Sequence, residues 1–119
     1  MSDFWAGECD VNRKPESGYD QAFKNAGLTP RTHGHDLGYE EIFPNGYGVS
    51  VVCHRGSYGY KMGQWEMAVL HLPPDAKRRT LCCTTDITND VEGFLSVADV
   101  LALVARVKAL DITGKEVAV

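Results

Sequence analysis

Hydrophobic and polar positions alternate most clearly over residues 47–54. Tyr47, Val49, Val51 and Cys53 fall on one face of a strand, and Gly48, Ser50, Val52 and His54 on the other. The first face is the more apolar and is expected to meet the core. Residues 65–72 are apolar on both faces, with Trp65, Met67 and Val69 opposed to Ala68, Leu70 and Leu72. A strand covered on both faces is usually central. Residues 39–43 form a shorter apolar run, joined to the first strand by Pro44-Asn45-Gly46. Asn-Gly between apolar runs predicts a hairpin closed by a type I′ turn, with positive φ at both central residues. Residues 80–85 are β-branched and cysteine-rich, which suits a further pairing strand. Residues 29–38 read as loop, and residues 88–93 as polar and irregular.

The pattern changes to a helical period near the C-terminal end. Val97, Val100, Leu101, Val104, Val107 and Leu110 recur on one face, widened by Leu103. Ser96 is a good N-cap, Asp99 completes a capping box, and Arg106 and Lys108 suit the negative end of the helix dipole. This helix is expected to lie across the sheet, each buried Val or Leu contributing about 1.5–3 kcal/mol. A shorter helix is expected over residues 18–26, with Ser17 as cap and Tyr19, Phe23 and Ala26 on one face. Residues 1–17 show no periodicity. The order of elements predicts an α+β fold: a small antiparallel meander of three or four strands packed against the C-terminal helix. The core domain is placed at residues 39–119, behind an irregular acidic segment at 1–38.

Length and charge sharpen that division. The chain of 119 residues suffices for one domain. Its net charge of −4 sits entirely in residues 1–41, where eight acidic groups face four basic ones; the remainder carries eight of each. Such a balance argues against a general nucleic-acid binder. The segment is expected to be a solvated lead-in, with an acidic arm for a basic partner as the alternative. No run approaches the roughly 18 apolar residues of a membrane span. Met1-Ser2-Asp3-Phe4-Trp5 lacks the basic and apolar regions of a signal peptide. The expected location is the cytosol, with reduced cysteines.

Candidate chemistry is sparse. Cys9 and Cys53 stand alone, and the adjacent Cys82 and Cys83 point to opposite faces of a strand, so no zinc spacing results. His33 and His35 sit in a Gly-rich loop. No phosphate loop, dinucleotide fingerprint, nucleophile elbow or H-E-x-x-H is present. No metal or cofactor is expected. A Cys/His pair across strands, or the carboxylates Asp86, Asp90 and Glu92, is the enzymatic alternative. The basic turn Lys77-Arg78-Arg79 reads as a solvated turn. The most suggestive stretch runs from Arg55 to Trp65, RGSYGYKMGQW. Arg55, Tyr58, Tyr60, Lys61, Met62 and Trp65 are the candidate binding residues, since Arg, Tyr, Met and Trp are enriched at interfaces and glycines let a loop adapt. The plain alternative is a connection whose aromatics fold back on the sheet. The binding reading requires Tyr58, Tyr60 and Trp65 to be partly exposed.

Three segments carry a resemblance. Residues 45–52 (NGYGVSVV), 63–70 (GQWEMAVL) and 84–91 (TTDITNDV), followed by a terminal helix, resemble small uncharacterised proteins of tailed bacteriophages, in which NGYGxSV-, WExAVL- and ITxDV-like segments recur. The resemblance covers residues 39–110. It implies a phage product in a bacterial cytosol and brings no activity, cofactor or site residue. The expected function is a non-enzymatic accessory protein that binds a host or phage macromolecule, most naturally a protein. An inhibitor of a host defence or host enzyme is one version. Self-association through the terminal helix or a sheet edge is the alternative.

Overall fold

The structure is a computed structural model and describes residues 14–31, 36–54, 56–81, 85, 87 and 91–116. Helix α1 spans Tyr19–Asn25, and α2 spans Val97–Lys108. Between them run β1 (Thr29–Pro30), β2 (Leu37–Ile42), β3 (Tyr47–Cys53), β4 (Trp65–His71), β5 (Thr80–Leu81) and β6 (Val91–Leu95). The sheet is antiparallel, in the order β1-β2-β3-β4-β5, with β6 also on β4. Thus β4 is central, as its two apolar faces predict: β3 lies on one side, and β5 and β6 lie end to end on the other.

The fold is α+β with the sheet packed on the C-terminal helix, but with six strands among the described residues in place of three or four. The two unexpected strands are β1 and β6. In β1 there are only two residues, and Pro30 is tolerated because it lies at the edge of the sheet. In β6 the alternation is broken by a bulge: Met67 pairs with Glu92 and Trp65 with Leu95, so Gly93 and Phe94 together oppose Glu66.

Alternation in β3 places Tyr47, Val49, Val51 and Cys53 in the core, as expected. Trp65, Met67 and Val69 of β4 join them, and α2 adds Val97, Val100, Val104 and Val107. Ser96 accepts from the Asp99 amide at 3.1 Å while the Asp99 carboxylate accepts from the Ser96 amide, so the predicted capping box is formed. The shorter helix starts differently. Gly18 occupies its N-cap in a left-handed conformation, and Ser17 makes no capping bond there.

The described part of the acidic segment is more integrated than a solvated lead-in. Phe23 and Leu28 belong to the same core as the sheet and α2. Phe23, Tyr39 and Trp65 pack edge to face at 4.9–6.0 Å between centroids, an arrangement favoured by aromatic quadrupoles. Four carboxylates have assigned partners. Glu16 accepts from the Val97 amide at the start of α2, and Asp20 accepts from the Tyr39 hydroxyl at 2.6 Å and pairs with Lys24. Glu40 pairs with Arg79, and Glu41 accepts from the Thr29 hydroxyl.

The hairpin turn corrects a further expectation. Gly46 alone has positive φ, 88°, while Asn45 does not, which excludes type I′. The turn is a three-residue loop: Pro44 fixes its first corner, the Gly46 amide donates to Phe43 O, and the Phe43 amide donates to Tyr47 O. Asn45 is there for its side chain. Its amide nitrogen donates to Val107 O and Leu110 O, both at 2.9 Å, and its oxygen accepts from the Tyr47 amide at 2.9 Å. The last carbonyls of a helix lack partners within it, and the hairpin supplies one.

Asn45→Ala is expected to destabilise the fold by about 2–4 kcal/mol, since it removes the part-buried hydrogen bonds to Val107 O and Leu110 O and from the Tyr47 amide. Urea unfolding with an unchanged slope checks this. A second expectation concerns acid. The Tyr39 hydroxyl, and then Lys24, hold the Asp20 carboxyl below its ordinary value. The unfolded chain therefore binds this proton at a higher pH than the native one. Stability is present above the ordinary carboxylate range and is lost as pH falls through the depressed native value. In Tyr39→Phe the Asp20 carboxyl should titrate closer to its ordinary value, read by NMR of the side-chain carboxyl.

Candidate functional site

The connection between β3 and β4 is a tightly bonded structure. The Ser57 hydroxyl, buried, donates to His54 O at 2.8 Å and accepts from the His54 amide at 3.0 Å. Gly59 and Gly63 adopt left-handed conformations, φ 91° and 68°, on either side of a single 3₁₀ turn at Tyr60–Met62. Met62 and Gln64 amides both donate to Gly59 O. The glycines thus serve defined corners and not adaptability.

This turn leans on the β6 bulge. The Tyr58 amide donates to Glu66 Oε1 at 2.9 Å, and the Phe94 amide approaches Tyr58 O at 3.5 Å. A Cβ at Gly93 would fall 2.3 Å from the Tyr58 Cβ, so the tyrosine occupies the space that only glycine leaves. A Cβ at Gly59 would come within 3.1 Å of the Phe94 backbone. The Tyr58 and Phe94 rings stack with centroids 6.4 Å apart. Both are nonetheless more than half exposed, 59% and 58%, as is Met62 at 52%.

Phe94 is unusual in its backbone as well. Its φ is 56°, and it is the one non-glycine with positive φ among the described residues. A left-handed conformation costs an L-residue roughly 1–2 kcal/mol. The bulge thus holds an aromatic ring at the surface by means of a backbone that glycine would adopt more easily. Leu81 and Ile112 are also exposed, at separate places on β5 and in the turn after α2.

The sequence candidates divide accordingly. Tyr58, Lys61 and Met62 lie on the surface. Tyr60 is half-buried and packs against the core. Trp65 overturns the expectation of exposure: it is fully buried, because it stands on the core face of the central strand. Its indole nitrogen has no hydrogen-bond partner and is surrounded by Tyr19, Phe23 and Tyr39 rings. Arg55 lies outside the described residues. Phe94 was not among the candidates. The signal for it is Gly93 directly before Phe94-Leu95, since a glycine within a strand often marks a bulge.

The chain matches no family model, no curated protein and no solved structure. For chemistry, Cys53 is buried, and that burial pushes its thiol up from its ordinary value, against formation of a nucleophilic thiolate. Cys9, Cys82, Cys83, His33, His35, Asp86 and Asp90 lie outside the described residues. Among the described residues no three His, Cys, Asp or Glu side chains converge on a point suited to a metal. No described helix is long and apolar enough to cross a membrane.

Two substitutions separate strain from packing. Gly93→Ala should cost about 1–3 kcal/mol, because the new methyl group displaces Tyr58. Phe94→Gly should leave stability within about 1 kcal/mol of the parent, since relief of the left-handed strain offsets the entropy of the added glycine. Urea midpoints of the two variants check the contrast.

Proposed function

We propose that the chain is a non-enzymatic binding protein whose Tyr58–Met62–Phe94 surface receives a protein partner, with Lys61 at its margin. The observation that carries this reading is the exposed stack of Tyr58 on Phe94, held by a strained backbone at Phe94. Exposed aromatics that bring rigid contact area at little entropic cost are the usual anchors of protein interfaces. Strain kept in a backbone is commonly tied to function. The terminal helix supports self-association less well. Its valines face the sheet, and Ala98, Ala102, Ala105 and Arg106 are left outward.

The resemblance to tailed-phage proteins makes a host or phage macromolecule in the bacterial cytosol the natural partner, and inhibition of a host defence or host enzyme one mode of action. A photo-crosslinking residue at position 58, 62 or 94, in cells of a phage host, should yield one discrete adduct common to the three sites. The same residue at position 112 should not. Phe94→Gly should weaken that interaction by about tenfold or more, the scale of a hot-spot loss. Absence of any adduct specific to positions 58, 62 and 94 would overturn the proposal.

A further inference from the structure

We infer that the Tyr58–Phe94 surface receives an arginine side chain of the protein partner, its guanidinium lying on the rings and pairing with Glu66. The inference rests on reading that surface as a binding site and adds the chemistry of what enters it.

The first observation is where Glu66 sits. It lies on β4 between Trp65 and Met67, which are both fully buried, so its side chain leaves the opposite face of the sheet. Its Oε1 accepts from the Tyr58 amide at 2.9 Å, and the Phe94 amide approaches Tyr58 O at 3.5 Å. Gly93 and Phe94 together oppose Glu66 across the strand pair. The carboxylate and the stems of both rings therefore meet at one residue, Tyr58. Oε2 takes no hydrogen bond or ion pair among the described residues. One oxygen thus builds the site, and the other is left to a donor from outside.

The second is the state of the rings. Their planes are inclined by 30° at 6.4 Å between centroids, and more than half of each side chain is open to a ligand. A cation over such a face is attracted by the ring quadrupole. The third is charge. Glu92, exposed and two residues before Phe94, adds a second carboxylate to that of Glu66. The described part of the turn carries one cation, Lys61, so the group that enters meets net negative charge.

These features select a guanidinium over an ammonium. It is planar and weakly hydrated, stacks on aromatic rings, and directs N–H groups from its edge at a carboxylate. An ammonium is compact and strongly hydrated, and gives up more solvation on the same surface. Arginine is also among the residues that most often dominate an interface.

The test is an NMR titration of the full chain with N-acetylarginine amide, followed at the Tyr58 and Phe94 ring signals. We expect saturable shifts with a Kd on the order of millimolar, as suits one exposed contact. N-acetyllysine amide should bind several-fold more weakly. Glu66→Gln should raise the Kd for the arginine probe by about fivefold, the scale of a charge-assisted hydrogen bond. The glutamine oxygen can still accept from the Tyr58 amide, and an unchanged signal from that amide shows that the turn is intact. Phe94→Gly, which removes one ring, should weaken the probe as well. Asp75→Asn alters net charge equally, beyond the far end of β4, and should have no effect.

The inference is overturned by the absence of saturable shifts, by equal affinity for the two probes, or by an affinity indifferent to Glu66→Gln. The crosslinked adduct keeps this apart from failure of the binding reading. An adduct at positions 58, 62 and 94 that forms equally well in Glu66→Gln, with no binding of the probe, removes only the arginine. Binding of the probe without an adduct removes the outside partner and leaves a site for a guanidinium alone.

Discussion

The side chain of Asn45 donates to Val107 O in the last turn of α2 and to Leu110 O just beyond it, adding to the few backbone amides that helix end can offer its carbonyls. This contact joins the tip of the β2–β3 hairpin to the end of the helix that covers the sheet. With the capping box at Ser96 it fixes both ends of α2, and the valine face between them must then lie along β3 and β4. Neighbouring groups follow the same junction. Lys108 sits over the Phe43 ring and donates to Ala26 O, which draws the end of α1 to the same corner. Phe23 is thereby set among Tyr39 and Trp65, and the aromatic part of the core is closed.

Much of this was legible from periodicity, because periodicity reports burial. The buried face of β3, the centrality of β4 and the apolar stripe of α2 all follow from which residues must leave water. The cap at Ser96 was equally clear, since a capping box is local chemistry. Contacts that join distant segments were not legible. Asn45 reads as a turn residue, whereas its role is set by a helix more than sixty positions away. The carboxylates of the acidic segment read as a solvated run for the same reason. Glu16, Asp20 and Glu40 find their partners on other elements, and net charge carries no information about pairing.

The surface around Tyr58 shows a different limit. Large aromatics between two strands signal contact area but not its side. Trp65 and Tyr60 turned inward, and Tyr58 and Met62 outward. The difference is register: Trp65 opens the central strand on its core face, while Tyr58 rides over the glycine of a neighbouring bulge. Phe94 escaped notice because the bulge that presents it also destroys the alternation by which a strand is recognised.

That same bulge makes position 94 informative about history. A left-handed site at the surface is a place where glycine or asparagine would arise by ordinary drift and be kept for its lower strain. Phenylalanine there runs against that drift, and its ring contributes little to the closed core. Sequences that descend from this chain under selection for the same task should hold an aromatic residue at position 94. Those released from it should relax to glycine or asparagine with the fold intact, so that one codon distinguishes a working lineage from a decaying one.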